Sequence, residues 1–122
     1  MTIVRQTTAT NRIYLAKDVS LASDFYSDIA DFRDMPMGAV QIVWTGATGT
    51  LDGLMKFHAS LLPYEPTFDG CEIDDGFWVI NEASSARLWI RQSLGFRFLQ
   101  ARYTANGCTS GTMDIIAHGK KT

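Results

Sequence analysis

Two stretches of alternating side chains near the end of the chain, separated by turn-forming residues, constrain the fold most. In residues 96–103 (FRFLQARY) an extended backbone sends successive side chains to opposite faces. One face carries Phe96, Phe98, Gln100 and Arg102, and the other carries Arg97, Leu99, Ala101 and Tyr103. Residues 105–111 (ANGCTSG) supply turn chemistry, since Asn and Gly tolerate positive φ. Met113, Ile115 and Ala117 then alternate again. The pattern predicts a closing hairpin that turns at Asn106-Gly107.

Shorter stretches with the same alternation occupy the rest of the chain. Strands are predicted at 13–15, 24–29, 39–45, 51–61, 77–81 and 87–92, with turns at 46–50 and 74–76. Trp44 in the strongest of these strands is expected to anchor the core, with a partner for its indole N–H. A helical stripe competes over 19–32, but Ser and Asp are mediocre helix formers. About eight strands without a convincing helix predict an antiparallel β-sandwich or jelly roll.

Length and composition indicate one globular domain. The chain has 122 residues, 46% of them hydrophobic and 20% charged, which excludes a disordered chain. Residues 1–12 predict an extended N-terminal arm or a short edge strand, and residues 13–122 a single β-sandwich domain. No apolar run is long enough to span a membrane and no signal peptide is recognisable, so synthesis in the cytoplasm is expected. In that compartment Cys71 and Cys108 are expected as free thiols rather than a bridge.

Charge is unevenly distributed along the chain. Residues 1–85 carry five basic and twelve acidic residues, whereas residues 86–122 carry six basic residues and one acidic residue. Such asymmetry would suit a polar contact between copies or with a partner. Alternatively, a folded sheet mixes the two halves and removes the asymmetry, and this second interpretation is favoured because linear charge maps poorly onto a surface.

The sequence offers no recognisable catalytic or metal-binding motif. His58 and His118 are isolated and lack a ligand spacing, which predicts surface or half-buried side chains and no zinc. The acidic residues Asp69, Glu72, Asp74 and Asp75 lack the spacing of a calcium loop. No serine lies in a nucleophile elbow. The expectation is a protein that is not an enzyme and that uses no cofactor.

A basic aromatic surface for single-stranded nucleic acid is the alternative interpretation of the last quarter of the chain. Arg97 and Arg102 lie among Phe96, Phe98 and Tyr103. These aromatic residues alternate like core residues, however, and a pI of about 5.5 lacks the basic excess of a nucleic-acid binder. No nucleic-acid partner is therefore predicted.

Two blocks of the sequence resemble small virion proteins of tailed bacteriophages. The first is AVQIVWTG at 39–46 with GTLDG at 49–53 and the strand to residue 60. The second is GFRFL at 95–99 with RYTANG at 102–107, TSGT at 109–112 and Gly119-Lys120. Together they cover about half of the chain. Where that pattern carries an Asn-Asp-Gly-like turn and a tryptophan, this chain has LLPYE at 61–65, so this loop is where a contact particular to this protein is expected.

The resemblance implies a β-sandwich or jelly-roll virion protein that decorates or cements a capsid. The implied partners are the major capsid protein or another virion protein, with self-association into a homo-oligomer, a trimer being favoured. The candidate contact residues lie in the arm, the 64–68 loop, the acidic turn and the last strands: Ile3, Val4, Arg5, Tyr64, Phe68, Asp74, Asp75, Arg97 and Arg102. The alternative is a receptor- or carbohydrate-binding module of a tail fibre, for which Tyr64, Phe68 or Trp89 would form an exposed aromatic platform.

Overall fold

The computed structural model of the chain describes residues 3–5, 12–33 and 35–120, which form nine strands and one short 3-10 helix. The strands are β1 (Ile3–Arg5), β2 (Arg12–Ser20), β3 (Phe25–Asp31), β4 (Met37–Gly49), β5 (Gly53–Ser60), β6 (Glu72–Ile80), β7 (Ser85–Arg91), β8 (Phe98–Thr104) and β9 (Cys108–Lys120). The helix is Glu65–Phe68. The predicted all-β sandwich is confirmed.

The strands form two sheets that switch back and forth along the chain. The first sheet has the order β1-β3-β8-β5-β6 and the second has the order β2-β9-β4-β7. Neighbouring strands are antiparallel, except that β1 runs parallel to β3. In the described part of the chain, only β5 and β6 are consecutive strands that pair with each other. Every other connection between consecutive strands crosses from one sheet to the other.

This crossing makes the predicted closing hairpin wrong, and it also separates the two strands on either side of the predicted turn at 46–50. Strand β8 belongs to the first sheet and β9 to the second, so they face each other across the core instead of pairing side by side. The same holds for β4 and β5. The Asn106-Gly107 turn is present, and Gly107 has the positive φ, 88°, that an Asn-Gly turn predicts. Turn residues show that the chain reverses, but packing decides whether the next strand joins the same sheet.

The core lies between the sheets and is built from alternate residues of each strand. Trp44 is 1% exposed, and its indole N–H donates to the Glu82 carbonyl oxygen at 2.8 Å, as expected for a core anchor. Met113, Ile115 and Ala117 of β9 are fully buried opposite Leu99, Ala101 and Tyr103 of β8. Burial of large apolar side chains is the main stabilising contribution in such a sandwich.

Two strands run through positions where the sequence predicts turns. Strand β4 continues to Gly49 through a register shift between Thr45 and Thr48, so residues 46–50 do not form a turn. Strand β6 runs from Glu72 to Ile80, so residues 74–76 are also extended. Gly76 serves close packing in β6, since a Cβ there would lie 2.9 Å from the Phe57 Cβ.

At the N-terminus, Ile3–Arg5 forms an edge strand whose Ile3 pairs with Ile29 of β3. The remainder of the predicted arm, except Arg12 at the start of β2, lies outside the described residues. Cys71 is exposed and Cys108 is buried, and both are free thiols. No helix among the described residues has the length and apolarity that a bilayer span requires.

We expect Gly107→Val to lower the free energy of unfolding by about 1 to 3 kcal/mol, because a β-branched residue is strained at positive φ. A Cβ at this position would also lie 2.6 Å from the Thr50 Cβ. Urea denaturation followed by tryptophan fluorescence measures the change. Gly95→Val is the matched control, since a Cβ there meets nothing within 4 Å. Equal stability of the two variants would contradict the prediction.

Candidate interaction surfaces

Strand β8 is buried on both faces because a loop covers the outer face of the first sheet. Phe98, Gln100 and Arg102 of β8 point away from the core and are nevertheless buried. Residues 61–71, which we call the covering loop, connect β5 to β6 and contain the short helix. Phe68 of this loop is 0% exposed and packs in a second small cluster with Ile29 and Phe98. The prediction that Phe68 is exposed is wrong, whereas Tyr64 is exposed.

A buried histidine also holds the covering loop. His58 of β5 is 6% exposed, and its Nδ1 lies 2.9 Å from the Phe68 carbonyl oxygen, to which it donates. The sequence predicted a surface or half-buried histidine, and this is wrong, because the covering loop closes over β5. Ser60 donates its hydroxyl hydrogen to the Thr67 hydroxyl at 2.7 Å. Both contacts fix the loop to the strand that precedes it.

Arg102 stabilises the same loop from within the protein. Its guanidinium donates to the Asp69 carboxylate at 2.7 Å, to the Glu65 carbonyl at 2.9 Å and to the Gln100 side chain at 2.9 Å. The guanidinium also lies over the Tyr26 ring, 4.2 Å from its centroid. Such a planar donor suits several acceptors at once. Arg102 was a candidate partner contact, and the structure places it in an internal network.

Arg97 makes a comparable ion pair at one end of the sandwich. Its Nε and Nη2 donate to the two carboxylate oxygens of Asp31 at 2.9 and 3.1 Å. Asp31 also accepts the backbone N–H of Arg33 at 3.0 Å. An open groove of about 480 Å³ lies beside this pair and is lined by Phe32, Met35 and Phe96 among others. Arg97 is half-buried at the wall of the groove.

The groups around the Asp31 carboxyl favour its ionised form. Burial acts to raise the pKa of the carboxyl, but hydrogen bonds from Arg97 and the Arg33 N–H outweigh it, together with the two positive charges. The net effect holds the pKa of Asp31 below its usual value. The carboxylate therefore remains ionised at neutral pH and fixes the end of β3 to the segment before β8.

The fold removes the charge asymmetry of the sequence. Each arginine after residue 85 is paired with an acidic residue before it. The pairs are Arg87 with Glu82, Arg91 with Asp75, Arg97 with Asp31, and Arg102 with Asp69. The two halves of the chain are mixed within the sheets, which agrees with the favoured interpretation of the linear charge pattern.

The predicted acidic turn is a strand whose carboxylates point in different directions. Asp74 and Asp75 are exposed on β6, and Asp75 pairs with Arg91 at 2.7 Å. Glu72 pairs with Lys56 at 3.2 Å. Within the described ranges, no group of three His, Cys, Asp or Glu side chains is placed to hold a metal ion. Of the remaining candidate contacts, Ile3 is 44% exposed on β1, and Val4 and Arg5 follow it in that strand.

An exposed apolar surface on the second sheet was not among the sequence candidates. The outer face of the second sheet carries Leu88 and Ile90 of β7, each 57% exposed, and Tyr14 of β2, 48% exposed. Register places Leu88, Gln41, Ile116 and Tyr14 in one row across the four strands. A second row contains Ile90, Ala39 and His118. We call these two rows the apolar outer face.

The sequence predicts which residues of β7 share a face, but not which of the two faces is exposed. The alternation of Leu88, Trp89 and Ile90 correctly places Trp89 on the side opposite the two aliphatic residues. It does not show which side is the core, because all three residues are apolar. Trp89 is 4% exposed and packs against Phe57 and Phe96. It is therefore not part of an exposed aromatic platform.

Fold and surfaces together define an all-β sandwich in which a loop covers the middle of one outer sheet face around β8, and the outer face of the other sheet is exposed. A crystal structure of the SPBc2 prophage-derived protein YomS has a similar fold, with a TM-score of 0.52 and 12% sequence identity. The similarity covers 90% of this chain and 92% of that chain. No family model and no curated protein sequence matches this chain. At this identity the likeness concerns the fold.

Proposed function

We propose that the protein is a non-enzymatic structural component of a bacteriophage particle, a capsid decoration or cement protein that binds the capsid surface and associates with its own copies. The observation that carries the proposal is the likeness in fold to a prophage-derived protein over nine-tenths of both chains. The resemblance of residues 39–60 and 95–120 to small virion proteins of tailed bacteriophages supports the same context. Its partner in this role is the major capsid protein or another virion protein.

The surfaces suit such a role because a decoration protein works through contact area on a rigid scaffold. Rigidity is supplied by the sandwich core and by the covering loop, which Arg102 and His58 hold in place. Contact area is supplied by the apolar outer face and by Leu61, Leu62 and Tyr64 at the tip of the covering loop, which are 52 to 71% exposed. Contiguous exposed apolar surface of this kind commonly marks a protein interface.

Immunogold electron microscopy with antibodies to this chain tests the proposal on particles of the phage that encodes it. Regular labelling of heads is the expected result. Labelling confined to the tail would favour the second candidate below. Protein found only in the soluble fraction of the lysate, with unlabelled particles, would overturn a virion role.

A second candidate function is carbohydrate or receptor binding, favoured by a platform of two exposed rings, Tyr26 and Phe77, on either side of the buried Arg102 on the first sheet. Register aligns Tyr26, Arg102, Lys56 and Phe77 across β3, β8, β5 and β6. Tyr26 and Phe77 are 45% and 49% exposed. Three strand spacings of about 4.8 Å separate them. This platform differs from the one expected at Tyr64, Phe68 and Trp89, of which only Tyr64 is exposed.

A glycan array with the purified chain tests the second candidate. If it holds, saturable binding should be lost in a Tyr26→Ala, Phe77→Ala double variant. Tyr14→Ala, which removes an equally exposed tyrosine from the other sheet, should retain binding. The absence of saturable binding to any glycan or to host cells would contradict this candidate and leave the first unaffected.

A further inference from the structure

The four edges of the two sheets differ in how well they are protected against pairing with another chain. An edge strand presents unpaired backbone N–H and C=O groups, and proteins usually protect such edges with charges, bulges or short length. The edge strands are β1 and β6 in the first sheet and β2 and β7 in the second. Three of them are very short, irregular in register or charged on their outward side.

Strand β1 is only three residues long. Strand β2 has two register shifts, exposed Lys17 and Asp18 side chains, and a φ of 52° at Asp18. Strand β6 carries exposed Asp74 and Asp75 and a register shift opposite β5. Each of these features opposes the regular approach of a further strand.

Strand β7 has neither a register shift nor a charge on its outward side, and its two charged residues, Arg87 and Arg91, lie on its inward side. Its seven residues pair with β4 without a register shift, from Ser85 opposite Trp44 to Arg91 opposite Gly38. Its outward side chains are Ala86, Leu88 and Ile90, all exposed and all apolar. A regular, exposed and apolar edge strand is the arrangement most prone to pairing with another strand.

The two charges of β7 lie on its inward side and are already neutralised. Arg87 pairs with Glu82 at 3.3 Å and lies over the Trp44 ring. Arg91 pairs with Asp75 at 2.7 Å and lies over the Trp89 ring. Neither arginine therefore protects the edge by pointing outward as an unpaired charge.

We propose that β7 is the interface of a symmetric dimer, in which β7 of a second copy of this chain pairs with it antiparallel about a two-fold axis at Leu88. The two four-stranded sheets then form one continuous sheet of eight strands, and the two apolar outer faces become one surface. Two identical edges satisfy each other, which is the form of contact that a two-fold axis generates.

Side-chain pairing selects this register. With Leu88 opposite Leu88, Ala86 lies opposite Ile90 of the second copy, so the outer face forms an apolar ladder. On the inner face Arg87 lies opposite Trp89 and Arg91 opposite Ser85. A register centred on Trp89 would place Arg87 opposite Arg91, and one centred on Arg87 would oppose two copies of that residue. Like charges directly opposite are destabilising.

Sedimentation equilibrium of the purified chain tests the association. The expected mass is twice the 13.6 kDa of one chain. Leu88→Lys should raise the dissociation constant at least about tenfold, because two lysines then meet at the axis. Leu61→Lys is the matched control, since Leu61 is 71% exposed on the covering loop and lies away from β7. Far-UV circular dichroism confirms that both variants fold.

Cysteine crosslinking tests the register in a Cys71→Ser background, which removes the exposed native thiol. Leu88→Cys should crosslink to itself, since opposite Cα atoms in an antiparallel pair lie about 4.5 to 5.5 Å apart, within disulfide range. Ala86→Cys and Ile90→Cys should each fail to crosslink alone and should crosslink when mixed. Two copies of residue 86, or of residue 90, are offset by four residues along the strands, about 14 Å, which is too distant for a disulfide.

A chain that stays monomeric at about 100 µM, a trimeric mass, or a dimer unaffected by Leu88→Lys would each overturn the proposal. So would self-crosslinking of Ala86→Cys alone. These results are independent of the virion role, because they are obtained with the purified chain. Loss of head labelling in electron microscopy would leave the dimer intact as a property of the fold.

Discussion

Phe68→Ala is expected to lower the free energy of unfolding by about 3 kcal/mol, near the lower end for a fully buried Phe. Phe68 is 0% exposed and packs in one cluster with Ile29 and Phe98. Its loss leaves a cavity beneath the covering loop, which can relax only partly because Arg102 and His58 also hold it. Urea denaturation measures the loss, and limited proteolysis should show faster cleavage within residues 61–71.

Tyr64→Ala is the control for Phe68→Ala, since both residues are aromatic and lie in the covering loop. Tyr64 is 64% exposed, so its removal should change stability by less than about 0.5 kcal/mol. A similar effect of both substitutions would show that the covering loop does not contribute a core of its own. Unchanged proteolysis in Phe68→Ala would contradict the role of Phe68 as its anchor.

Asp31→Asn is expected to lower the free energy of unfolding by about 2 kcal/mol at pH 7, because it replaces one partner of the ion pair with Arg97. The effect is below the 3 to 5 kcal/mol of a fully buried pair, since the Arg97 side chain is 38% exposed and can be rehydrated. The Asn amide would also direct an N–H toward a donor. Urea denaturation at several pH values measures the difference.

The same substitution should reduce the acid sensitivity of the protein. The folded-state pKa of Asp31 is lowered, so its stabilising contribution is present above the unfolded pKa of about 3.9 and is lost as pH falls through the lowered folded value. The stability difference between wild type and Asp31→Asn should therefore shrink below about pH 4. Asp74→Asn, at an exposed site on β6, is the control and should change stability by less than about 0.5 kcal/mol at pH 7. A stability difference between wild type and Asp31→Asn that stays constant from pH 7 to pH 2 would contradict the lowered pKa of Asp31.

The assignment of sheets could not be predicted from the sequence. Residues 96–103 and 112–117 predict two strands correctly, and Gly107 marks a real reversal with positive φ. Pairing of β8 with β5 and β3, and of β9 with β4 and β2, depends on contacts between residues far apart in the chain. A turn signal is local, whereas the choice of sheet is made by the burial of both strands' apolar faces.

For the candidate contact residues, too, the sequence predicted only part of what the structure shows. Tyr64 was correctly expected to be exposed, but Phe68, only four residues later, is buried beneath the loop that contains it. Arg97 and Arg102 were proposed as outward contacts, and they instead bind Asp31 and Asp69 of the same chain. Sequence pattern identifies which side chains share a face, but it does not reveal that a loop will cover that face.

The sequence by itself determined that the fold is all-β, since period-two alternation separated by turn residues is typical of antiparallel sandwiches, jelly rolls and barrels. It also predicted Trp44 as a core anchor, which the structure confirms. Only the tertiary structure decided which strands pair, which charges neutralise each other, and that Leu88 and Ile90 remain exposed on the edge strand β7. The reason is that alternation is a property of neighbouring residues in one strand, whereas pairing, charge neutralisation and exposure depend on residues brought together from distant parts of the chain.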